Sequence, residues 1–366
     1  MTPNWQCQLP GFPYAGGDPD GFMVRDEIVG YIEGYADSFG PPLMEGVAVH
    51  SLRRDTDGGF EVHTSAGVLH PRHVVIATGG YHVPRIPRFA DALPADVVQL
   101  HSSLYRNPES LPDGDVLVVG TGQSGCQIAE DLHLAGRRVH LCVGGATRTA
   151  RFYRGRDVVA WLHDLGYYDM PVHEHKLGEE VRAKANQYVT GRDGGRDIDL
   201  RRFASEGMSL YGRLTGARDG VLSFAGDLTH NLDAADASCE AIKDTIDRHI
   251  DESGIDAPAE PRYTPVWGPA EEPRELDLAG SPIASIVWST GFTSDYGWVH
   301  APVFDGAGRI VHDRGVTEIP GLYVVGLPWL YTWGSGRFSG IARDADYLAD
   351  RVEIGQASAV GAMAGA

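Results

Sequence analysis

Two short runs hold the residue patterns with the clearest chemical meaning. In the first, Gly120-Thr121-Gly122-Gln123-Ser124-Gly125 follows the apolar run Val116-Leu117-Val118-Val119 and precedes an amphipathic stretch. Glycines at the first, third and sixth positions, between a strand and a helix, suit a pyrophosphate. Gly120 permits the tight turn, Gly122 lets the backbone come close, and Gly125 lets helix and strand pack. The helix start, with Gln123 and Ser124 in its first turn, offers free N–H groups and partial positive charge to the phosphates. An ordinary glycine turn is the alternative. In the second run, Val143-Gly144-Gly145-Ala146 carries no Asp or Glu to take a ribose 2′-OH, which an NAD site usually has. Arg148, Arg151, Arg154 and Arg156 follow within nine residues. A guanidinium there suits a 2′-phosphate, so NADP(H) is expected over NAD(H). A solvated basic patch or an interface is the alternative.

Composition narrows the remaining chemistry. Acidic residues outnumber basic ones by 50 to 31, and the formal charge of −19 disfavours a nucleic-acid partner. Glycine supplies 47 of 366 residues, about twice its usual share, which calls for tight turns or backbones that approach a ligand. Cys7, Cys126, Cys142 and Cys239 form no CxxC, so neither a redox dithiol nor a zinc knuckle is expected. His101, His133 and His140 are scattered, and the pair His173 and His175 lacks a third ligand, so no metal is expected. No G-x-S-x-G elbow follows a strand, which leaves Ser/His/Asp hydrolysis without support. Met1 to Cys7 show neither a basic nor an apolar region, so no secretory signal is expected, and the longest nearly apolar run, 321–331, is too short to cross a bilayer. A cytoplasmic protein without membrane or nucleic-acid partners is expected, and homo-oligomerisation stays open.

Periodicity gives the strands and helices around these runs. The spacing of Ile28, Tyr31, Ile32 and Tyr35 predicts a helix over 25–39. Alternation around Asp57-Gly58-Gly59 predicts a hairpin over 46–63, and Val74-Val75-Ile76-Ala77 reads as a buried strand that ends in Thr78-Gly79-Gly80. Strands over 115–119 and 138–143 flank a helix over 123–134. Further helices are expected near 158–165, 179–188, 239–250 and 339–352, with strands at 283–289 and 322–325. Alternating strands and helices describe an α/β fold with parallel sheet content. A middle unit, 113–265, interrupts an outer unit of 1–85 and 275–355. Residues 86–112 and 266–274 read as linkers and 356–366 as a tail.

Several segments resemble the flavin-dependent monooxygenases of the FMO and Baeyer–Villiger type, closest to a bacterial branch of flavoprotein oxidoreductases. Ala77-Thr78-Gly79, with Pro84 and Pro87 after it, resembles their first domain crossover, and Ser289-Thr290-Gly291-Phe292 their second. His101-Ser102-Ser103-Leu104-Tyr105 is similar to the second half of their FxGxxxHxxxY fingerprint, although Ala95 and Val97 stand where Phe and Gly belong. Arg148-Thr149 is similar to the Arg-Thr set against the 2′-phosphate. Gly321-Leu-Tyr-Val-Val-Gly326-Leu327-Pro resembles the strand that contacts the flavin. Thr2-Pro3-Asn4-Trp5 aligns with the segment whose Asn lies beside the flavin C4a; a plain N-terminal turn is the alternative.

The resemblance implies two interleaved dinucleotide-binding, Rossmann-like domains: a discontinuous FAD-type outer one and an NADP-binding middle one. It implies FAD and NADP as cofactors, with a small-molecule substrate and O₂. NADPH would reduce FAD, and a C4a-hydroperoxyflavin would oxygenate a nucleophilic or carbonyl substrate. Thr78 and Gly79 would lie at the crossover, Gly326 and Leu327 at the isoalloxazine, and Asn4, His101 and Tyr105 would serve catalysis. The family's opening strand–GxGxxG–helix unit is absent before Asn4, and Gly16-Gly17 follows no strand. The FAD-type domain is therefore expected to be N-terminally truncated, the true start to lie upstream of Met1, and apolar sheet edges to be exposed. An NADP-dependent flavin oxidoreductase without oxygenation, or a truncated non-catalytic nucleotide-binding remnant, are the alternatives.

Overall fold

The apolar strand Asp115–Val119 is buried at every position and sits at the centre of a five-stranded sheet. Its neighbours, in spatial order, are Ser209–Tyr211, Val139–Cys142, itself, Ile283–Trp288 and Val98–His101, all parallel. Because side chains alternate along a strand, one run of valines and leucines serves two cores. Val116 and Val118 face a cluster that includes Cys126, Ala129 and Leu132 of the helix Gln123–Leu134, and Leu228 and Leu232 of the helix Leu228–Ser253. Leu117 and Val119 face Leu222, Phe224, Ile286 and Trp288, beside an antiparallel sheet of Leu214–Arg218, Val221–Phe224 and Glu275–Asp277. Trp288 is wholly buried, and its indole N–H donates to Gln99 Oε1 at 3.1 Å.

The computed structural model describes residues 2–184 and 186–364. They divide into two units: 84–165 with 183–292, and 2–83 with 166–182 and the chain from 293 onward. The first contains the parallel sheet. The second is built on a four-stranded sheet ordered Val299–His300, Val49–Arg54, Phe60–Thr64, Gly67–Leu69, and on a parallel pair, Val74–Ile76 with Leu322–Val324. Leu52, Phe60, Ile76, Leu322, Val324 and Leu330 form its core. The helix Arg25–Phe39 buries none of its residues, and Val29, Ile32, Phe39 and the strand residue Val75 stand exposed. Among the described residues, no helix is long and apolar enough to cross a membrane.

Three assignments differ from the sequence reading. Ile283–Trp288, expected in the outer unit, pairs with Asp115–Val119. Val98–His101, expected in a linker, is the edge strand beside it. Residues 166–182, expected in the middle unit, cluster with the second unit, where Val172 and Val181 pack on Trp329. A short apolar strand satisfies either sheet equally well, so local pattern does not choose between them. The helix expected over 179–188 is a 3-10 turn, Gly178–Ala183, and Tyr188 is extended, bridged to Arg148. The last helix runs Phe338–Ala364, into the segment read as a tail, and 365–366 lie outside the described residues.

Candidate functional site

The nucleotide loop joins the central strand to the helix Gln123–Leu134, and its three glycines are held for three different reasons. Gly120 has φ +104°, and a Cβ there would lie 2.6 Å from Ser289 O. A Cβ on Gly125 would lie 1.9 Å from Gly120 O, so the helix start rests directly on the turn. Gly122, the helix N-cap, has ordinary backbone angles and no atom within 4 Å of the Cβ position. Packing therefore requires Gly120 and Gly125, whereas Gly122 leaves space open in front of the helix N-terminus. That space fits a pyrophosphate, which needs bare backbone and unpaired N–H groups at close range. Thr121 is buried, and its hydroxyl accepts from Gly144 N–H at 2.9 Å, tying the loop to the end of the next strand. Ser124 is exposed in the helix first turn. Gln123 points elsewhere: its amide accepts from Val189 N–H at 3.1 Å and donates to Val189 O, and Gln127 donates to the same carbonyl at 3.0 Å.

Beyond Gly144 and Gly145 the chain enters a buried ionic cluster. Arg148 is 5% exposed. Its guanidinium lies 3.2 Å from Asp236 and 3.5 Å from Asp199, and stacks 4.0 Å over the Tyr263 ring. Tyr263 O–H donates to Asp199 at 3.1 Å, and Arg201 holds the second oxygen of Asp236 at 2.8 Å. Burial raises the pKa of Asp236, and Arg201 and Arg148 oppose that rise. Arg154 pairs with Asp247 at 2.7 Å, and Arg151 and Arg156 pair with Asp157 and Asp164. The arginine run is thus largely neutralised by carboxylates, of which Asp157 and Asp164 are near in sequence and Asp199, Asp236 and Asp247 are remote. Thr149 Oγ1 is buried and has no hydrogen-bond partner among the described residues.

In the second unit, Val74–Ile76 and Leu322–Val324 end side by side, with Val325 N–H donating to Ile76 O at 2.9 Å. The chain then turns through Gly79 (φ +69°) and Gly326 (φ +78°), and a Cβ on either would stand in open space. Thr78 is exposed, and Leu327 is half-buried against the core. Tyr296 O–H and His82 Nε2–H both donate to Gly79 O, at 3.1 and 2.9 Å, which fixes the turn. Gly336 packs on Gly326, because a Cβ there would lie 2.7 Å from Gly326 O. Open α/β sheets bind ligands outside the carboxyl ends of parallel strands, so these bare turns fit a flat cofactor.

Comparison with known proteins identifies the family. A family pattern described as pyridine nucleotide-disulphide oxidoreductase matches residues 19–198. A CzcO-like oxidoreductase from Geobacillus kaustophilus is 33% identical over 354 residues, covering 95% of this chain and 83% of that protein. The chain belongs to the flavin-dependent monooxygenase superfamily. Within the superfamily, indole-3-pyruvate monooxygenase YUCCA1 from Oryza sativa is 32% identical over 143 residues, 38% of this chain and 35% of its own. The flavin-containing monooxygenase from Stenotrophomonas maltophilia shares the fold at a TM-score of 0.60 and 14% identity, over 97% of this chain and 84% of that one. The protein is an oxidoreductase of this superfamily, whose members bind FAD and use NADPH.

Three residues singled out from the monooxygenase resemblance have local partners. Asn4 is buried; its amide donates to Asp18 O at 2.9 Å and Tyr14 Oη at 3.2 Å, and accepts from Met23 N–H at 2.7 Å. His101 is buried at a strand end; Nε2 donates to Gly291 O at 3.0 Å and Nδ1 accepts from Ser103 N–H at 3.2 Å. Tyr105 donates to Asp131 at 2.7 Å, and burial together with that carboxylate pushes its phenol pKa up. Sequence reasoning passed over Thr121, Asp199, Asp236 and Tyr263. Thr121 could have been found as the residue between the first two glycines of a buried turn; the other three have no local signature. Among the described residues, no group of three His, Cys, Asp or Glu side chains could hold a metal.

Proposed function

We propose that the protein is an FAD- and NADPH-dependent monooxygenase acting on a small nucleophilic or carbonyl substrate with O₂. The observation that carries this reading is the open space at Gly122, before a helix N-terminus and between two glycines that packing demands. Gly120, Gly122, Ser124 and Gly125 would hold the pyrophosphate of NADPH through backbone N–H groups and one hydroxyl. Arg148 and Thr149 would receive the 2′-phosphate. The phosphate has to compete with Asp199 and Asp236 for the guanidinium, so these carboxylates set how strongly 2′-phosphate is preferred. Thr78, Gly79, Gly326 and Leu327 would border the flavin, where bare backbone admits a planar ring. FAD, when bound, supplies the electron transfer from NADPH and the activation of O₂. His101 and Tyr105 act as positioning residues: His101 fixes the Gly291 turn, and Tyr105 braces the helix that begins at Gln123. Asn4 pins the N-terminal loop.

The test is turnover by FAD-reconstituted protein, with wild type and Arg148→Ala compared. NADPH oxidation should yield an oxygenated amine, sulfide or ketone, and the substitution should raise the Michaelis constant for NADPH far more than for NADH. Equal effects on the two nucleotides would sink the 2′-phosphate assignment. Peroxide released mole for mole with NADPH, and no oxygenated product, would indicate a flavin oxidoreductase without oxygenation.

A further inference from the structure

Among the described residues, the half-buried and buried arginines other than Arg337 have carboxylate partners or, for Arg137, the backbone carbonyls of Pro108, Pro112 and Gly114. Arg148 has Asp199 and Asp236, Arg151 has Asp157, Arg201 has Asp233 and Asp236, and Arg314 lies 3.8 Å from Asp344. Arg337 is half-buried, and among the described residues no carboxylate or other acceptor pairs with its guanidinium. It stacks 3.6 Å over the Trp333 ring. Trp333 in turn meets Tyr168 at 4.6 Å and Tyr167 at 5.5 Å between ring centroids. Burial pushes the Arg337 pKa down, and the nearby phenols of Tyr168, Tyr81 and Tyr167 only partly oppose it. Removing a charge from water without a partner is costly, and a neutral residue would fill the place without that cost. A cation kept in such a setting is explained by an anion that arrives with a ligand.

We propose that Arg337, stacked on Trp333 beside Tyr167, Tyr168 and Tyr81, binds the carboxylate of an aromatic acid that is the substrate. A guanidinium offers a planar fork that matches a carboxylate with two parallel hydrogen bonds, and stacking on an indole holds that fork in place. The surrounding rings supply the apolar wall against which an aryl group packs. Gly336, adjacent in the chain, rests on Gly326, so Arg337 adjoins the turn assigned above to the flavin. The inference deepens the monooxygenase reading by naming a substrate class and rests on that reading only for the fate of the bound acid.

Calorimetric titration of the full chain with phenylacetate, phenylacetamide and acetate tests it, using wild type, Arg337→Met and Arg337→Lys. Wild type should bind phenylacetate about tenfold or more tighter than the neutral amide and than acetate. Arg337→Met, checked for an unchanged circular dichroism spectrum, should lose the preference for acid over amide. Arg337→Lys should keep part of it, because charge remains without the fork. Equal binding of acid and amide by wild type, no binding of phenylacetate, or a preference that survives in Arg337→Met overturns the proposal. Flavin absorbance and its bleaching by NADPH are read on the same samples. If Arg337→Met loses flavin while the acid preference is absent throughout, the guanidinium serves the cofactor and the proposal fails. If wild type discriminates acid from amide but never holds flavin, the carboxylate site stands and the monooxygenase reading falls.

Discussion

Replacing Gly122 and Gly125 by alanine, one at a time, separates the two jobs that glycine does in the nucleotide loop. On Gly125 the added methyl lies 1.9 Å from Gly120 O and 3.1 Å from Ser289 Cβ. The first neighbour is backbone and cannot rotate away, so relief requires the loop to move by about 1.5 Å to reach ordinary contact. That movement strains the Gly120 N–H to Cys142 O bond, now 3.1 Å, which ties the loop to the sheet. Overpacking costs about 1–3 kcal/mol and the weakened bond about 1 kcal/mol more, so Gly125→Ala should lose about 2–4 kcal/mol. For a unit of this size, that lowers the melting temperature by about 5–15 °C. On Gly122 the methyl meets nothing within 4 Å, and its φ of −64° suits any residue. The cost there is the weaker N-cap, at most about 1 kcal/mol. The methyl nevertheless stands where the pyrophosphate must approach, and NADPH affinity should fall about 100-fold, or about 2.7 kcal/mol. Thermal denaturation and titration of NADPH fluorescence measure the two effects separately. Gly122→Ala binding NADPH like wild type would refute the cradle, and Gly125→Ala melting like wild type would refute the loop geometry.

Two further outcomes follow from the second unit. His312 Nδ1 accepts from Gly315 N–H at 3.2 Å, and burial, with the Arg182 charge adding to it, lowers its pKa to about 4. The folded form therefore resists a proton that the unfolded chain takes up near pH 6.5. His312 costs nothing above that pH, and stability falls by up to about 3 kcal/mol as pH drops from 6.5 to 4. Urea unfolding across this range should show the loss in wild type and a flatter profile in His312→Gln; parallel profiles would contradict the assignment. Asn4→Ala removes three side-chain hydrogen bonds that pin the N-terminal loop, at about 1–3 kcal/mol. Limited proteolysis within residues 5–22 should accelerate in that variant, and an unchanged cleavage rate would show that the amide does not hold the loop.

Residues close in sequence were read well because their physics is local. A strand, three spaced glycines and an amphipathic helix announce a nucleotide loop through turn sterics and periodicity alone, and the helices at 25–39 and 123–134 follow from the same patterns. The chain by itself also determined what chemistry to look for, since a strand end without Asp or Glu and a nearby arginine run are composition facts. Tertiary structure decided which groups those residues meet. Arg148 was legible as a cation, but Asp199, Asp236 and Tyr263, which neutralise and orient it, come from remote segments. Asn4 was legible as a candidate, but its three partners depend on how a loop folds back on itself. Residues 283–289 were legible as a strand, but only pairing with Asp115–Val119 says which sheet Ile283–Trp288 completes. Periodicity encodes which face of an element is apolar; it carries nothing about which distant face will cover it. That choice is made by the packing of the whole chain, and it separates an arginine held by two carboxylates from Arg337, which has none among the described residues.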